Sequence, residues 1–264
     1  MQKPTAGLTR ATHRYDPAGY GNHCAEFYDQ IYRHPPKQMI TALASLASGG
    51  PVLELGIATG RVAIRLADMG LSVTGIEISS RMLRLLFGKM LPASITVVSG
   101  DFTTVDLPGL FPLVICIHST ILLLPQKSQR TCFVNVAKHL SPAGTFLIEA
   151  ASGPPDLVNP PKRSRGTTRC CLVDTIFGAR NYRVTQYYTP VEELDKMASD
   201  AGLVLVERWA DWRRTPLVGR SSIHISLYVR SDASSESRRM ATQLQQRGSP
   251  ADAENTLTSR PLQP

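Results

Sequence analysis

Short apolar runs alternate with amphipathic segments along the middle of the chain. Mostly apolar runs of four to six residues predict strands at Val52–Leu55, Ser72–Ile76, Ile95–Ser99, Val114–Ile117 and Thr145–Ala150. Apolar residues at helical spacing predict helices before and between them, at Tyr20–His34, Pro36–Ser48, Arg61–Met69, Ser80–Met90 and Gln126–Leu140. This alternation predicts a mostly parallel sheet with helices on both faces.

The pattern changes after Ala150, where glycine, proline and basic residues interrupt the apolar periodicity. A hairpin is predicted around Cys170–Tyr188, followed by a helix at Pro190–Ala201. Two final strands, Leu203–Trp212 and Ser222–Val229, should pair antiparallel. The fold class predicted is therefore α/β, with a mostly parallel seven-stranded sheet that ends in an antiparallel C-terminal hairpin.

Both ends of the chain are polar and poor in large apolar residues. Residues 1–14 and 231–264 are expected to be flexible tails, which leaves residues 15–230 as one domain. The interrupted stretch, about 151–189, would form a lid over the substrate. No signal peptide or membrane-length apolar run is visible, and the five cysteines lack metal-ligand or disulfide spacing. We expect a cytoplasmic protein with reduced thiols, no metal and no membrane contact.

The formal net charge of +8 is concentrated in part in two basic segments, Pro160–Arg169 and Arg208–Arg220. A solvated basic surface is the favoured interpretation, because no aromatic residues interleave with the first segment as base stacking would require. Attraction of an anionic or nucleic-acid substrate is the alternative.

The turn after the first strand carries the most specific chemistry. Gly56 and Gly60 bound it, and a helix is predicted to begin near Arg61. Glu77 lies 21 residues after Gly56, at the end of the second strand, where a carboxylate can accept hydrogen bonds from ribose hydroxyls. Ala58 and Arg61 stand where a dinucleotide fingerprint requires glycines. The turn therefore predicts an adenosine-containing ligand and disfavours a pyrophosphate.

Residues 54–60, ELGIATG, resemble the first motif of the class I S-adenosylmethionine-dependent methyltransferases, with Ala58 in place of the middle glycine. VTGIEISSRML at 73–83 and SGDF at 99–102 resemble the second and third motifs. Residues 112–150 and 188–230 resemble the later strands and the closing hairpin of bacterial small-molecule methyltransferases. The resemblance covers about residues 15–230 and implies a Rossmann-like fold, S-adenosylmethionine as cofactor and S-adenosylhomocysteine as product.

The resemblance also implies a set of cofactor contacts. Glu77 would bind the ribose, Ser79 and Met82 would lie near the adenine, and Asp101 and Phe102 would contact its amino group and ring. The full predicted set is Glu54, Gly56, Ala58, Gly60, Glu77, Ser79, Met82, Asp101, Phe102 and His118. The alternatives are an exposed turn carboxylate for Glu77, a turn or helix cap for Asp101, and core packing for Met82 and Phe102.

Ligands of open α/β sheets bind at the carboxyl ends of the strands, which selects Gly56–Gly60, Glu77, Asp101–Phe102, His118–Thr120 and Glu149–Pro155. His118 is the only histidine at such an end, and a neutral imidazole there can accept the proton of a hydroxyl acceptor. It is the catalytic candidate, and the alternative is a histidine without a chemical role in the wall of the cleft. An amine acceptor with a pKa near neutral can react without a base, and His224 is interpreted as structural.

Tyrosines crowd the predicted N-terminal helix and its approach. Tyr15, Tyr20, Tyr28 and Tyr32 resemble the segment that closes over the cofactor in small-molecule methyltransferases, and they are the predicted substrate-binding residues. Core packing is the alternative role for tyrosines at this spacing.

The function implied is methyl transfer from S-adenosylmethionine to nitrogen or oxygen of a small molecule in bacterial secondary metabolism, such as antibiotic biosynthesis. A monomer or a homodimer is expected, and nucleic acid is disfavoured as a partner. Two alternatives stay open. One is an RNA or protein methyltransferase that uses the basic 160–169 loop, and the other is a protein that only binds the cofactor or catalyses a rearrangement without methyl transfer.

Overall fold

The structure, a computed structural model, describes residues 15–32, 34–153, 169–177, 180–219 and 221–232. The predicted tail 1–14, the tail 231–264 beyond its first two residues, and the basic loop 160–169 apart from Arg169 lie outside the described residues. The helices are α1 (Gly19–Ile31), α2 (Lys37–Ala47), α3 (Ala63–Asp68), α4 (Ser80–Phe87), α5 (Gln126–His139) and α6 (Val191–Asp200). The strands are β1 (Val52–Leu55), β2 (Val73–Glu77), β3 (Ile95–Ser99), β4 (Phe111–Cys116), β5 (Leu140–Ala151), β6 (Arg169–Phe177), β7 (Arg180–Tyr188), β8 (Leu203–Trp209) and β9 (Ile223–Arg230).

The main sheet has seven strands in the order β3-β2-β1-β4-β5-β9-β8. The pairs among β1 to β5 are parallel, whereas β9 pairs antiparallel with both β5 and β8. Strands β6 and β7 form a separate antiparallel pair, as the hairpin around Cys170–Tyr188 predicted. The predicted fold class, including the antiparallel C-terminal hairpin, is confirmed.

Both faces of the sheet are buried, which explains why its central strands are apolar without alternation. On one face Leu53 of β1 belongs to a cluster that includes Phe133 of α5 and Met197 of α6. On the other face the neighbouring Val52 belongs to a cluster that includes Leu43 of α2. The helices therefore cover both faces, as the alternating sequence predicts.

Three boundaries differ from the predictions in ways that bear on the site. Helix α3 begins at Ala63 instead of Arg61, because the turn closed by Gly60 extends two residues further. Strand β4 begins at Phe111, three residues earlier than predicted, where Phe111 pairs with Leu140. Strand β8 ends at Trp209 instead of Trp212, because the Asp211 side chain accepts backbone N–H bonds from residues 213 and 215 and turns the chain away.

Among the described helices, none combines the length and the apolar character that a membrane crossing requires.

Candidate active site

A cleft lies at the carboxyl ends of the parallel strands, beneath α1. Its lining residues are Tyr15, Pro17, Tyr20, Gly21, Tyr28, Gly56, Ala58, Glu77, Ile78, Met82, Phe102, Thr120, Leu123 and Leu124. The cleft thus joins residues from α1, the turn after β1, the end of β2 and the segment after β4.

Most of the predicted site residues meet at this cleft. Of the predicted cofactor set, Gly56, Ala58, Glu77, Met82 and Phe102 line it, and so do three of the four predicted substrate tyrosines, Tyr15, Tyr20 and Tyr28. Of the remaining residues, Glu54 and Ser79 are buried, Gly60 lines a second and more open cavity, and Asp101, His118 and Tyr32 are not among the lining residues of either cavity.

The turn between β1 and α3 is built from left-handed backbone. Gly56 and Gly60 have φ values of +78° and +81°, and Ala58 has a φ of +50°. A Cβ atom added to Gly56 would lie 3.0 Å from Thr120 Cγ2 on the opposite side of the cleft. Glycine at this position therefore keeps open the space into which a ligand must fit.

Glu77 connects this turn to the end of β2. Its Oε2 accepts a hydrogen bond from the Ala58 backbone N–H at 3.0 Å, and its Oε1 accepts one from the Ser79 N–H at 2.7 Å. Burial raises the pKa of this carboxyl group, and the backbone N–H bonds oppose that rise. The backbone N–H groups do not use all the lone pairs of the two carboxylate oxygens, so acceptor capacity remains for a ligand. Glu77 lines the cleft, and its geometry suits a ribose diol.

Glu54 lies below the turn and is 3% exposed. Burial raises the pKa of its carboxyl group to about 8, opposed by the Arg61 guanidinium and by a backbone hydrogen bond from Ala63. Among the described atoms, Glu54 Oε2 and Arg61 Nε are buried and have no hydrogen-bond partner. Buried polar atoms of this kind rarely stay unpaired. A carboxylate acceptor and a guanidinium donor next to the glycine turn match the ammonium and carboxylate groups of an amino acid.

Helix α1 is fastened over the cleft by polar contacts that the sequence did not reveal. Ser79 Oγ donates to Asn22 Oδ1 at 2.8 Å. Asp29 accepts from the Thr59 hydroxyl and pairs with Lys89 Nζ at 2.7 Å. The two residues of each contact are at least 30 positions apart in the sequence, so no local motif predicts these contacts.

Close packing brings α1 against the start of α4. A Cβ atom added to Gly21 would lie 2.5 Å from the Ser79 Cβ, so only glycine allows this approach. Cys24, Ala25 and Tyr28 of α1 form one buried cluster with Ala58 and Met82. Met82 and Tyr28 therefore combine packing with a place on the cleft wall.

Two predicted cofactor residues serve the local backbone. Ser79 is fully buried and caps α4, accepting a hydrogen bond from the Met82 N–H at 3.2 Å. Asp101 Oδ1 accepts from the Thr103 N–H at 2.8 Å, which is the turn role weighed for it above. Phe102, by contrast, lies on the cleft wall and is 9% exposed.

His118 follows β4 at the rim of the site. Its ring centroid is 4.3 Å from that of Tyr32, in an edge-to-face arrangement. The residue is exposed overall, but desolvation of the ring and then the nearby Arg61 guanidinium lower the pKa of its imidazole to about 4. The ring is therefore neutral at pH 7 and has a lone pair for a proton, and a pKa near 4 makes it a weak base.

The segment after His118 supplies cleft residues that were missed or only partly predicted. Thr120 and Leu123 belong to a short 3-10 helix, Thr120–Leu123, and Leu124 follows it. All three line the cleft. The position after the fourth strand pointed to Thr120, whereas the leucines have the same appearance in the sequence as core residues.

Comparisons with known proteins identify a family of methyltransferases. The sequence profile of a methyltransferase-domain family matches residues 52–144. The putative methyltransferase YqeM of Bacillus subtilis is 32% identical over 141 residues, which are 48% of this chain and 54% of that protein. The cypemycin N-terminal methyltransferase of a Streptomyces species is 26% identical over 144 residues, 51% of this chain and 57% of that protein. The matches thus span little more than half the length of these curated relatives.

A solved structure is similar over a greater length. The CcbJ methyltransferase from Streptomyces caelestis superposes with a TM-score of 0.70 at 30% identity. The superposition covers 82% of this chain and 100% of that structure. The similarity therefore extends over most of the chain and well beyond the glycine turn.

Proposed function

The chain belongs to the class I S-adenosylmethionine-dependent methyltransferases, and we propose that it transfers a methyl group from S-adenosylmethionine to nitrogen or oxygen of a small natural product. The observation that carries the proposal is the cleft, where Gly56, Glu77 and Phe102 converge under α1. Similarity to CcbJ over the whole of that chain supports the same conclusion.

The residues of the cleft and of the buried layer below the glycine turn fit the cofactor group by group. Glu77 offers its remaining acceptor capacity to the ribose diol, and Phe102 and Met82 offer apolar surface to the adenine. The unpaired Glu54 Oε2 suits the ammonium group of the amino-acid end, and Arg61 suits its carboxylate. When bound, S-adenosylmethionine supplies a methyl group that its sulfonium has already activated.

The protein's task is then mainly to orient the acceptor and exclude water. Helix α1 covers the cleft, and Tyr20 and Tyr28 present aromatic surface inside it. A hydroxyl acceptor must lose a proton, and neutral His118 at the rim is the group proposed to accept it. An amine acceptor can react without this step.

Nitrogen or oxygen remains the proposed acceptor, with support from a relative whose name places its methylation at an N-terminus. We place the reaction in the cytoplasm, which is supported by the free thiols of Cys24, Cys116 and Cys132 within the described part of the chain. An RNA or protein substrate bound by the basic 160–169 loop is the second proposal from the sequence, and nearly all of that loop lies outside the described residues.

The proposal is tested by incubating the protein with S-adenosylmethionine and a panel of amine- and hydroxyl-bearing natural products, with total RNA as a separate arm. Mass spectrometry should find S-adenosylhomocysteine together with a product in which one methyl group has replaced one hydrogen of the acceptor. Methylated RNA would instead favour the second proposal. Cofactor binding without S-adenosylhomocysteine in any arm would favour a protein that binds the cofactor or rearranges a substrate.

A further inference from the structure

Two consecutive residues after β4 adopt a backbone conformation that L-amino acids disfavour. His118 has a φ of +57° and Ser119 a φ of +59°, and neither is glycine. Non-glycine residues in this region persist only where the surroundings hold them, and such residues cluster at functional sites. The contacts that hold these two residues are therefore informative.

The turn is held by Glu149 near the end of β5. The His118 backbone N–H donates to Glu149 Oε2 at 2.9 Å, and the Ser119 N–H donates to the Glu149 carbonyl at 2.9 Å. Ser119 Oγ in turn accepts from the Ala151 N–H at 3.1 Å. Three hydrogen bonds thus join the left-handed turn to the neighbouring strand.

The second oxygen of the same carboxylate reaches a different part of the chain. Trp212, in the connection between β8 and β9, donates its indole N–H to Glu149 Oε1 at 2.9 Å. The indole also packs against the buried cluster of the α2 face. Glu149 is 7% exposed, so its carboxylate is largely removed from water and is bound on both sides.

The turn that Glu149 holds carries one wall of the cleft. Thr120 directly follows it, and Leu123 and Leu124 come within the next turn of chain. The His118 ring rests against Tyr32, which directly follows α1, on the other side. A displacement of the turn would therefore move this wall and the imidazole together.

We propose that Glu149 is the positioning residue of the acceptor side of the cleft, where it holds the His118–Ser119 turn and Trp212 in one fixed arrangement. This inference rests on the proposed function, because an acceptor side exists only if a methyl group is transferred. Glu149 does not touch the reacting atoms. It acts through the backbone of the turn.

The test uses Glu149→Gln and Trp212→Phe in the full chain. Because an amide can accept with only one of its two polar atoms, the glutamine variant loses one of the two side-chain bonds. Nuclear magnetic resonance of the histidine rings, with His118→Asn to assign the signal, gives the pKa of His118. We expect that pKa to rise toward its ordinary value in Trp212→Phe, which keeps the Glu149 charge, as the ring moves away from Arg61 and into water. In Glu149→Gln the loss of the carboxylate charge opposes that rise, so this variant is followed by Trp212 emission instead.

Trp212 fluorescence gives a second readout. In a Trp209→Phe background Trp212 is the single tryptophan, since the chain has two. Its emission should shift to longer wavelength when Glu149→Gln releases the indole. Asp195→Asn is the matched control, because that carboxylate is also hydrogen-bonded, to the Tyr228 hydroxyl at 2.8 Å, but lies on α6 away from the cleft. The control should leave both signals unchanged.

The outcomes separate this inference from the proposed function. Unchanged Trp212 emission in Glu149→Gln together with an unchanged His118 pKa in Trp212→Phe would overturn the inference and leave Glu149 a purely structural residue. If Glu149→Gln does not fold, the His118 pKa in Trp212→Phe decides alone. Binding of S-adenosylhomocysteine to the wild-type protein, measured by calorimetry, tests the proposed function separately. Its absence in the wild-type protein would instead refute the proposed function.

Discussion

Glu77 offers the sharpest test of the proposed cofactor site, because its carboxylate has two separable duties. In the structure it accepts backbone hydrogen bonds from Ala58 and Ser79, and we propose that the remaining lone pairs accept the ribose hydroxyls. Glu77→Gln keeps the size of the side chain but removes the charge and one acceptor oxygen. The substitution should therefore lower both the ligand affinity and the free energy of unfolding, by different amounts that can be measured separately.

The expected magnitudes follow from the hydrogen bonds. A hydrogen bond to a charged group contributes about 1.5–3 kcal/mol, so the loss of one ribose contact should weaken S-adenosylhomocysteine binding about 10- to 100-fold. One of the two backbone N–H groups also loses its acceptor inside the protein, which should lower the free energy of unfolding by about 1–3 kcal/mol. Calorimetry well below the lowered melting temperature measures the first effect, and thermal unfolding without ligand measures the second.

Two controls test whether the loss of affinity in Glu77→Gln comes from the ribose contact. Glu192→Gln removes an exposed glutamate from the first turn of α6 and should leave ligand affinity unchanged. The 2′-deoxyribose analogue of S-adenosylhomocysteine should bind wild type much more weakly than the parent compound does, but should show little further loss in Glu77→Gln. Equal losses in the two proteins, or an affinity of Glu77→Gln within about threefold of wild type, would refute the ribose assignment.

Three further predictions follow from the same geometry. Gly56→Ala should abolish measurable S-adenosylhomocysteine binding because the added Cβ would meet Thr120 across the cleft. Gly70→Ala is the control: Gly70 also has a positive φ, of +85°, but a Cβ added there would meet no atom within 4 Å, so this variant should lower only the melting temperature. Because burial holds the pKa of Glu54 near 8, an incoming ammonium group should displace its proton at pH 7. Calorimetry in two buffers of different ionisation enthalpy should show this proton release in wild type and its loss in Glu54→Gln. Burial lowers the pKa of His224 to about 4 in the folded protein. Between pH 4 and 6.5 the unfolded chain therefore binds more protons at this residue than the folded chain does, and the free energy of unfolding rises with pH by up to about 3 kcal/mol. Denaturant unfolding of His224→Asn should show a flatter dependence across that window.

Features that depend on neighbouring residues were predictable from the sequence. The glycine turn and Glu77 are separated by only one helix and one strand. The strand order of a βαβ unit then places them together. The structural role of His224 was also predictable, because the residue lies between two apolar neighbours on a strand of a sheet that is buried on both faces. It is fully buried, and its Nδ1 lies 2.8 Å from Ser226 Oγ.

Features that join distant segments were not predictable. The bond from Trp212 to Glu149 spans 63 residues, and the contact of Asn22 with Ser79 spans 57. Trp212 was assigned to the strand Leu203–Trp212, although Asp211 ends that strand by accepting backbone N–H groups. Hydropathy does not register such local competition by a short acidic side chain.

Ala58 shows how a departure from a motif can be compensated elsewhere in the same fold. A left-handed φ costs alanine about 1 kcal/mol that glycine would not lose. Its methyl group, however, is buried against Tyr28 and Met82, and burial of one such group contributes about 0.8 kcal/mol. The two contributions nearly cancel, so the turn keeps its shape while α1 gains a contact at the cleft. The substitution therefore couples the cofactor turn to the helix that covers it, and the site is best understood as the turn and α1 together.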